Sequence, residues 1–422
     1  MAYLFLCAIL LTVYLRPADV WSSLEKVPFL YVLSGLLAVA TVLSWMVRAT
    51  RPRWVPHLTW ILGVWFAFVF SHIAHGFLAM TLSTFTGFLT NVFLVFAATF
   101  VLVSPGRLRG FATLWILLSL FLAIDGIVQN ATGAGFWGQP MVKGRIQGVG
   151  SFADPNDLCL TFLITVPLAH ARFYAKGHGG RFLFALIAGV FTYATFLTNS
   201  RGGIVSLFLV FFALAAHRFG RKLGLVLGGI LVLVFLAFGP SRVDEIGSTD
   251  ASSQGRIGAW SEGLQMFKRN PVAGVGVGLF TDHFELTAHN SFVLCFAETG
   301  FLGAFFWLGL LYVSILSLRR VATVARSDPD GRETLAWLKG TQIAFLGFLA
   351  GAFFLSRTYN ILLYLLIGFS AALYVEAMQR YPSVRFEMRG KDRWKVAGLV
   401  VGGIVLIYIL VKTLAIWQGN FY

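Results

Sequence analysis

The sequence predicts an all-α protein that crosses a membrane about a dozen times. Of its 422 residues 58% are hydrophobic and only 12% charged, which is more apolar than a soluble domain can hide from water. The mean hydropathy of +0.78 comes from apolar runs spread over the whole length, so one membrane domain with short loops is expected in place of a single anchor. Basic residues fall in alternate connections between those runs, the pattern of a multi-pass protein whose cytoplasmic loops are positive.

Apolar stretches long enough, or nearly so, to cross a hydrocarbon core of about 30 Å fall at 1–15, 28–47, 56–80, 86–104, 109–128, 156–173, 182–199, 203–217, 222–240, 290–318, 338–355, 359–378 and 396–417. Twelve or thirteen helices are therefore expected. The first lacks the basic start and small-residue cleavage site of a signal peptide and is expected to be retained. An odd count puts the termini on opposite faces. With the N-terminus in the cytoplasm, every inner connection carries at least two basic residues, and together these hold two thirds of the 33 lysines and arginines. That imbalance accounts for the net charge of +15 as topology, and no nucleic-acid partner is implied. The C-terminus is then on the outer face.

Two outer connections are long enough to carry structure. One spans 129–155 and holds Gly148-Val149-Gly150-Ser151-Phe152-Ala153-Asp154-Pro155-Asn156; the other spans 241–289. Within the second, 256–270 reads as an amphipathic helix, because Ile257, Trp260, Leu264 and Phe267 share a face, and Pro271 with the following glycines ends it. Such a helix lies in the interface, floating on lipid or capping the bundle.

Few cations face outward, so each is informative. Arg201 sits in Asn199-Ser200-Arg201-Gly202-Gly203, a turn of almost no length between two membrane helices. An arginine at that depth either snorkels, pairs with a carboxylate or serves a site; its planar fork suits a phosphate or diphosphate. Arg256, Arg145 and Arg357 are open to the same readings. His289, where a polar loop meets a long apolar run, is either a hydrogen-bonded interface residue or an acid–base group.

Other features point to packing. His72 and His75 fit a polar contact better than a metal site, and no metal-ligand motif or disulfide framework is present, Cys7, Cys159 and Cys295 all lying in or beside apolar runs. Gly274-Val275-Gly276-Val277-Gly278 lacks the spacing of a nucleotide loop and reads as a flexible turn.

His289-Asn290, nine residues, then Gly300-Phe301-Leu302-Gly303 resembles the pattern of the bacterial O-antigen ligase and O-antigen polymerase superfamily. Gly255-Arg256-Ile257-Gly258-Ala259-Trp260, leading to Pro271 and Gly274-Val275-Gly276, is similar to the stretch before that histidine. Asn199-Ser200-Arg201-Gly202-Gly203 resembles the family's arginine turn. The matches span 145–303. The loop before His289 is shorter than in some members, which leaves the acceptor open.

The resemblance implies a GT-C-like membrane glycosyltransferase of the bacterial inner membrane, with its active site on the periplasmic face. Its donor would be a glycan on undecaprenyl diphosphate and its acceptor a hydroxyl of lipid A–core, another glycan or a protein. His289 would be catalytic and Arg201 and Arg256 would hold the diphosphate, with Arg145, Asn156, Asn290 and Arg357 as further donor or acceptor contacts. Neither a metal nor another cofactor is expected. A ligase is the leading expectation, a polymerase or protein O-oligosaccharyltransferase the alternative, and a polysaccharide transporter a more distant one.

Overall fold

Helices account for nearly all the regular structure, and the way their ends are capped decides where polar groups meet. The computed structural model describes residues 1–47, 53–174, 176–220, 222, 226, 229 and 246–417. In chain order the helices are α1 (Ala2–Leu15), α2 (Pro17–Val20), α3 (Phe29–Val47), α4 (Pro56–Ile73), α5 (Leu78–Val101), α6 (Pro105–Thr132), α7 (Pro155–Ala169), α8 (Gly177–Leu197), α9 (Arg201–Phe219), α10 (Ile246–Arg269), α11 (Phe280–His283), α12 (Ser291–Ala325), α13 (Arg332–Ala352), α14 (Ile361–Arg380) and α15 (Gly390–Trp417). Among the described residues no strand ladder occurs, only two isolated bridges in the loop after α6.

Eleven of these helices are long and apolar enough to span a bilayer, and the chain is a multi-pass membrane protein. The span expected at 222–240 lies largely outside the described residues, as do residues 241–245 at the start of the second outer loop. The expected helix 156–173 is α7, continued by one wider turn through Tyr174 after the internal Pro167. Residues 157–169 are buried without interruption, so α7 is a core helix, apolar all round because neighbours surround it. α14 is equally central, whereas α3 and α15 keep most of their apolar side chains on the outside, as lipid-facing helices do.

Several boundaries move for identifiable reasons. The helix expected over 56–80 stops at Ile73, because Gly76 takes a positive φ of 71° in a tight turn. α6 is longer than 109–128: Ser104 caps its start ahead of Pro105, and Gly133 in the left-handed region closes it. The loop after it therefore begins at 133 instead of 129. α10 starts ten residues before the expected 256. Its apolar stripe faces protein: the Trp260 indole donates to the Ala288 carbonyl at 2.9 Å and packs on Phe353, while Phe267 packs on Phe296. α10 thus caps the bundle and does not float on lipid.

The 35-residue α12 runs past the expected end at 318 and is broken at Gly300, where φ is 63° and ψ −161°. Only glycine adopts that backbone region readily. The break is filled by the 271–276 loop. Val275 and Gly276 donate their N–H groups to the carbonyls of Ala297 and Glu298, and Phe301 and Leu302 donate to Pro271 and Val272, at 2.8 to 3.2 Å. These are the helix groups that the kink would otherwise orphan. A Cβ on Gly274 would sit 2.2 Å from the backbone of Glu298.

The loop is therefore pinned, not flexible. His75 Nε2 donates to the Gly274 carbonyl at 2.6 Å and Ser71 Oγ accepts from Val277 N. The Glu298 carboxyl accepts from the Phe280 N–H and, at 2.6 Å, from the Tyr359 hydroxyl. His75 has the polar contact expected of it; His72 is buried beside it.

Candidate functional site

Three helix N-termini meet at one end of the bundle, each opened by a capping side chain. Asp154 caps α7 by accepting from Asn156 N at 2.7 Å, Ser200 caps α9 by accepting from Gly203 N, and Asn290 caps α12 by accepting from Phe292 N and Val293 N. Two of the caps follow a residue in the left-handed region, Asn199 at φ 49° and His289 at φ 46°. The same turn thus presents Arg201 as the first residue of α9 and His289 just before the cap of α12. Aligned backbone N–H groups at such ends favour anions.

Two arginines stitch these ends together. Arg145 Nε donates to the Thr198 carbonyl at 2.7 Å, and its terminal nitrogen donates to Asn156 Oδ1 at 3.0 Å, joining the α8–α9 turn to α7. Arg357 makes a two-pronged ion pair with Asp157 in the first turn of α7, and its backbone N–H donates to Ser291 Oγ at 2.8 Å in α12. Ser291 Oγ donates to the Leu355 carbonyl, and Thr358 Oγ1 donates to the Ser291 carbonyl. With Asp157 8% exposed and Arg357 27%, removing either partner would leave a poorly solvated charge.

Arg201 and Arg256 differ from this pair. Among the described residues neither has a carboxylate or hydrogen-bond partner. Burial, then the neighbouring Arg201 charge, lowers the pKa of Arg256, so two guanidiniums lie close enough to repel. Burial first, then Arg256 and Arg357, lowers the pKa of His289, while Asp154 opposes them. The imidazole is held toward its neutral form, able to accept a proton. Asn290 is fully buried with its Oδ1 used in capping and its Nδ2 without a partner among the described residues.

All seven residues singled out from the sequence thus fall at this end, but in different settings. Arg201, Arg256 and His289 interact with one another or through a shared neighbour. Arg145, Asn156 and Arg357 are engaged in the seam between helices, and Asn290 is a cap. Sequence reasoning missed Asp154, Asp157 and Ser291. Asp154 carries a readable signal, an acid ahead of Pro155 at a helix start. The Asp157–Arg357 pair bridges 200 positions and leaves none. Among the described residues, no three His, Cys, Asp or Glu side chains form a group able to hold a metal ion.

Residues 183–308 match the O-antigen ligase family. That stretch supports a likeness to the ligase and polymerase superfamily, whose members are glycosyltransferase-like enzymes. The matched stretch includes the unpaired Arg201 and Arg256, His289 with its cap, and the Gly300 break; Arg145, Asn156 and Arg357 fall outside it. In the matched stretch the two motif glycines have structural work: Gly300 makes the break, and a Cβ on Gly303 would strike the Thr299 side chain at 2.0 Å. Among curated proteins none matches the chain.

Proposed function

We propose that this protein is an inner-membrane glycosyltransferase that moves a glycan from undecaprenyl diphosphate to a hydroxyl acceptor at the periplasmic face, acting as an O-antigen ligase on lipid A–core. One observation carries the reading: two neighbouring arginines without an anionic partner among the described residues lie beside a histidine biased toward neutrality. A diphosphate supplies the missing charge, and the arginine fork matches its oxygens.

In this reading the acceptor hydroxyl donates to His289, which takes the proton as the oxygen attacks the anomeric carbon. The bond from that carbon to the diphosphate oxygen breaks on the opposite face, so configuration inverts. Arg201 and Arg256 stabilise the charge that builds on the departing diphosphate, a task two guanidiniums can perform without a divalent ion. Asn290 Nδ2 and the seam residues Arg145, Asn156 and Arg357 shape the donor and acceptor positions around them. In this reading the N-terminus is cytoplasmic and the outer connections are periplasmic, which the alternation of basic loops supports.

The test is the mass of the product when purified full-length protein receives lipid-linked glycan alone and then with lipid A–core. Product only with the core supports a ligase; longer lipid-linked chains without it mean a polymerase. Product in neither, with transfer to a protein hydroxyl, means an O-oligosaccharyltransferase, and no transfer to any acceptor overturns the enzyme reading. Activity is expected to survive a chelator, and loss restored by one divalent ion would overturn the metal-free chemistry.

A further inference from the structure

The end of the bundle opposite His289 carries a second cationic feature that the transfer reaction does not use. Arg319 and Arg320 lie on the last turns of α12 and Arg326 caps it, about 42–53 Å along the chain from Ser291 at 1.5 Å per residue. They line a cleft of about 540 Å³ with Lys339 of α13, Leu316 and Thr323. No carboxylate is in that lining. Asp328 is committed to Arg380 and Tyr381 and Glu333 to Arg109, while Asp392, which feels the Arg320 charge, is held by Lys395 and Tyr312.

Loop cations that only set topology can be fully solvated, and nothing requires them to share a cleft. Here Arg320 is half-buried over the Phe386 ring at 4.5 Å, and Lys339 is half-buried with Gln342 as its one hydrogen-bond partner among the described residues. Arg319 and Arg326 have no carboxylate or hydrogen-bond partner among the described residues. His217, at the end of α9, lies in the field of Lys339, Arg326 and Arg218 together, so a further element borders the cleft and brings the Arg218 cation to this end of the bundle. Basic pockets between membrane helices are suited to phosphate headgroups.

We propose that this cleft binds a phosphate-bearing anion, the headgroup of an anionic phospholipid in the leaflet at that end. The forks of Arg319 and Arg326 clasp the phosphate oxygens, and Lys339 adds a charge at the floor. The proposal is independent of the transfer reaction, because none of these residues is near His289.

The measurement is phosphatidylglycerol binding to delipidated, purified full-length protein by native mass spectrometry, with phosphatidylcholine as the reference lipid and inorganic phosphate as a competitor. Arg319 and Arg326 are exposed, so R319Q/R326Q is expected to fold; it should weaken phosphatidylglycerol binding by about a hundredfold, about tenfold for the charge-assisted hydrogen bond lost with each arginine. R319K/R326K, which keeps the charge but loses the forks, should bind at a level between wild type and R319Q/R326Q. Displacement of the lipid by millimolar phosphate, or phosphate binding lost in R319Q/R326Q, would identify a soluble phosphate as the occupant. Equal phosphatidylglycerol binding by wild type and R319Q/R326Q, with no response to phosphate, overturns the proposal.

Discussion

The seam joining α7, α9 and α12 and the open ground beside it both hold two arginines, and their partners set them apart. Arg145 and Arg357 are saturated by Thr198, Asn156 and Asp157. Arg201 and Arg256 face each other with no acid between them among the described residues. A paired guanidinium tells where helices are fixed, whereas an unpaired one is open to solvent or to an anion. The same residue type therefore acts as a structural clamp in one region and a candidate ligand in the other, and His289 lies where the two regions meet.

The largest expected effect tests that meeting point. His289→Ala should lower the transfer rate by about 10³-fold, within the range for removing a general base, with the protein still folded and at its normal level in the membrane. Turnover at the wild-type rate would remove His289 from the chemistry. Next, Asp157→Asn strands Arg357 in the seam and should cost about 3 kcal/mol of stability, the lower range for breaking a buried pair, read as a lower thermal midpoint in detergent. An unchanged midpoint would show that the seam is held by other contacts. Arg256→Lys keeps the charge and loses the fork, so a loss of about tenfold in rate is expected with the thermal midpoint unmoved, since about 1.4 kcal/mol is tenfold. A lowered midpoint with normal rate would put Arg256 among the clamps.

Much of this arrangement was legible in the residues. Apolar runs and alternating basic loops located the spans, since a bilayer imposes both length and charge asymmetry. His289, Arg201 and Arg256 stood out because few cations face outward and because of the family pattern around them. What stayed hidden depends on partners distant in sequence. No local signal tells that Arg357 finds Asp157, or that the Gly274 turn is spliced into α12 at Gly300. The ends of α6 and α12 were misplaced because polar residues such as Arg107 and Arg319 ended the apolar windows while the helices continued beyond them.

The smallest expected effect separates the charge of the seam from the charge of the open ground. His289 has its pKa lowered by burial, Arg256 and Arg357 and raised by Asp154, so as pH falls through that lowered value the imidazole is protonated and the rate drops. Asp154→Asn preserves the cap, since asparagine caps a helix about as well as aspartate, but removes the carboxylate that opposes the arginines. The acid limb of the pH–rate profile should then move to lower pH. Arg256→Lys, which keeps its positive charge, should leave the limb in place even though the rate is lower throughout. A limb that moves with Arg256→Lys and ignores Asp154→Asn would mean that His289 responds to the fork's geometry and not to the balance of charge around it.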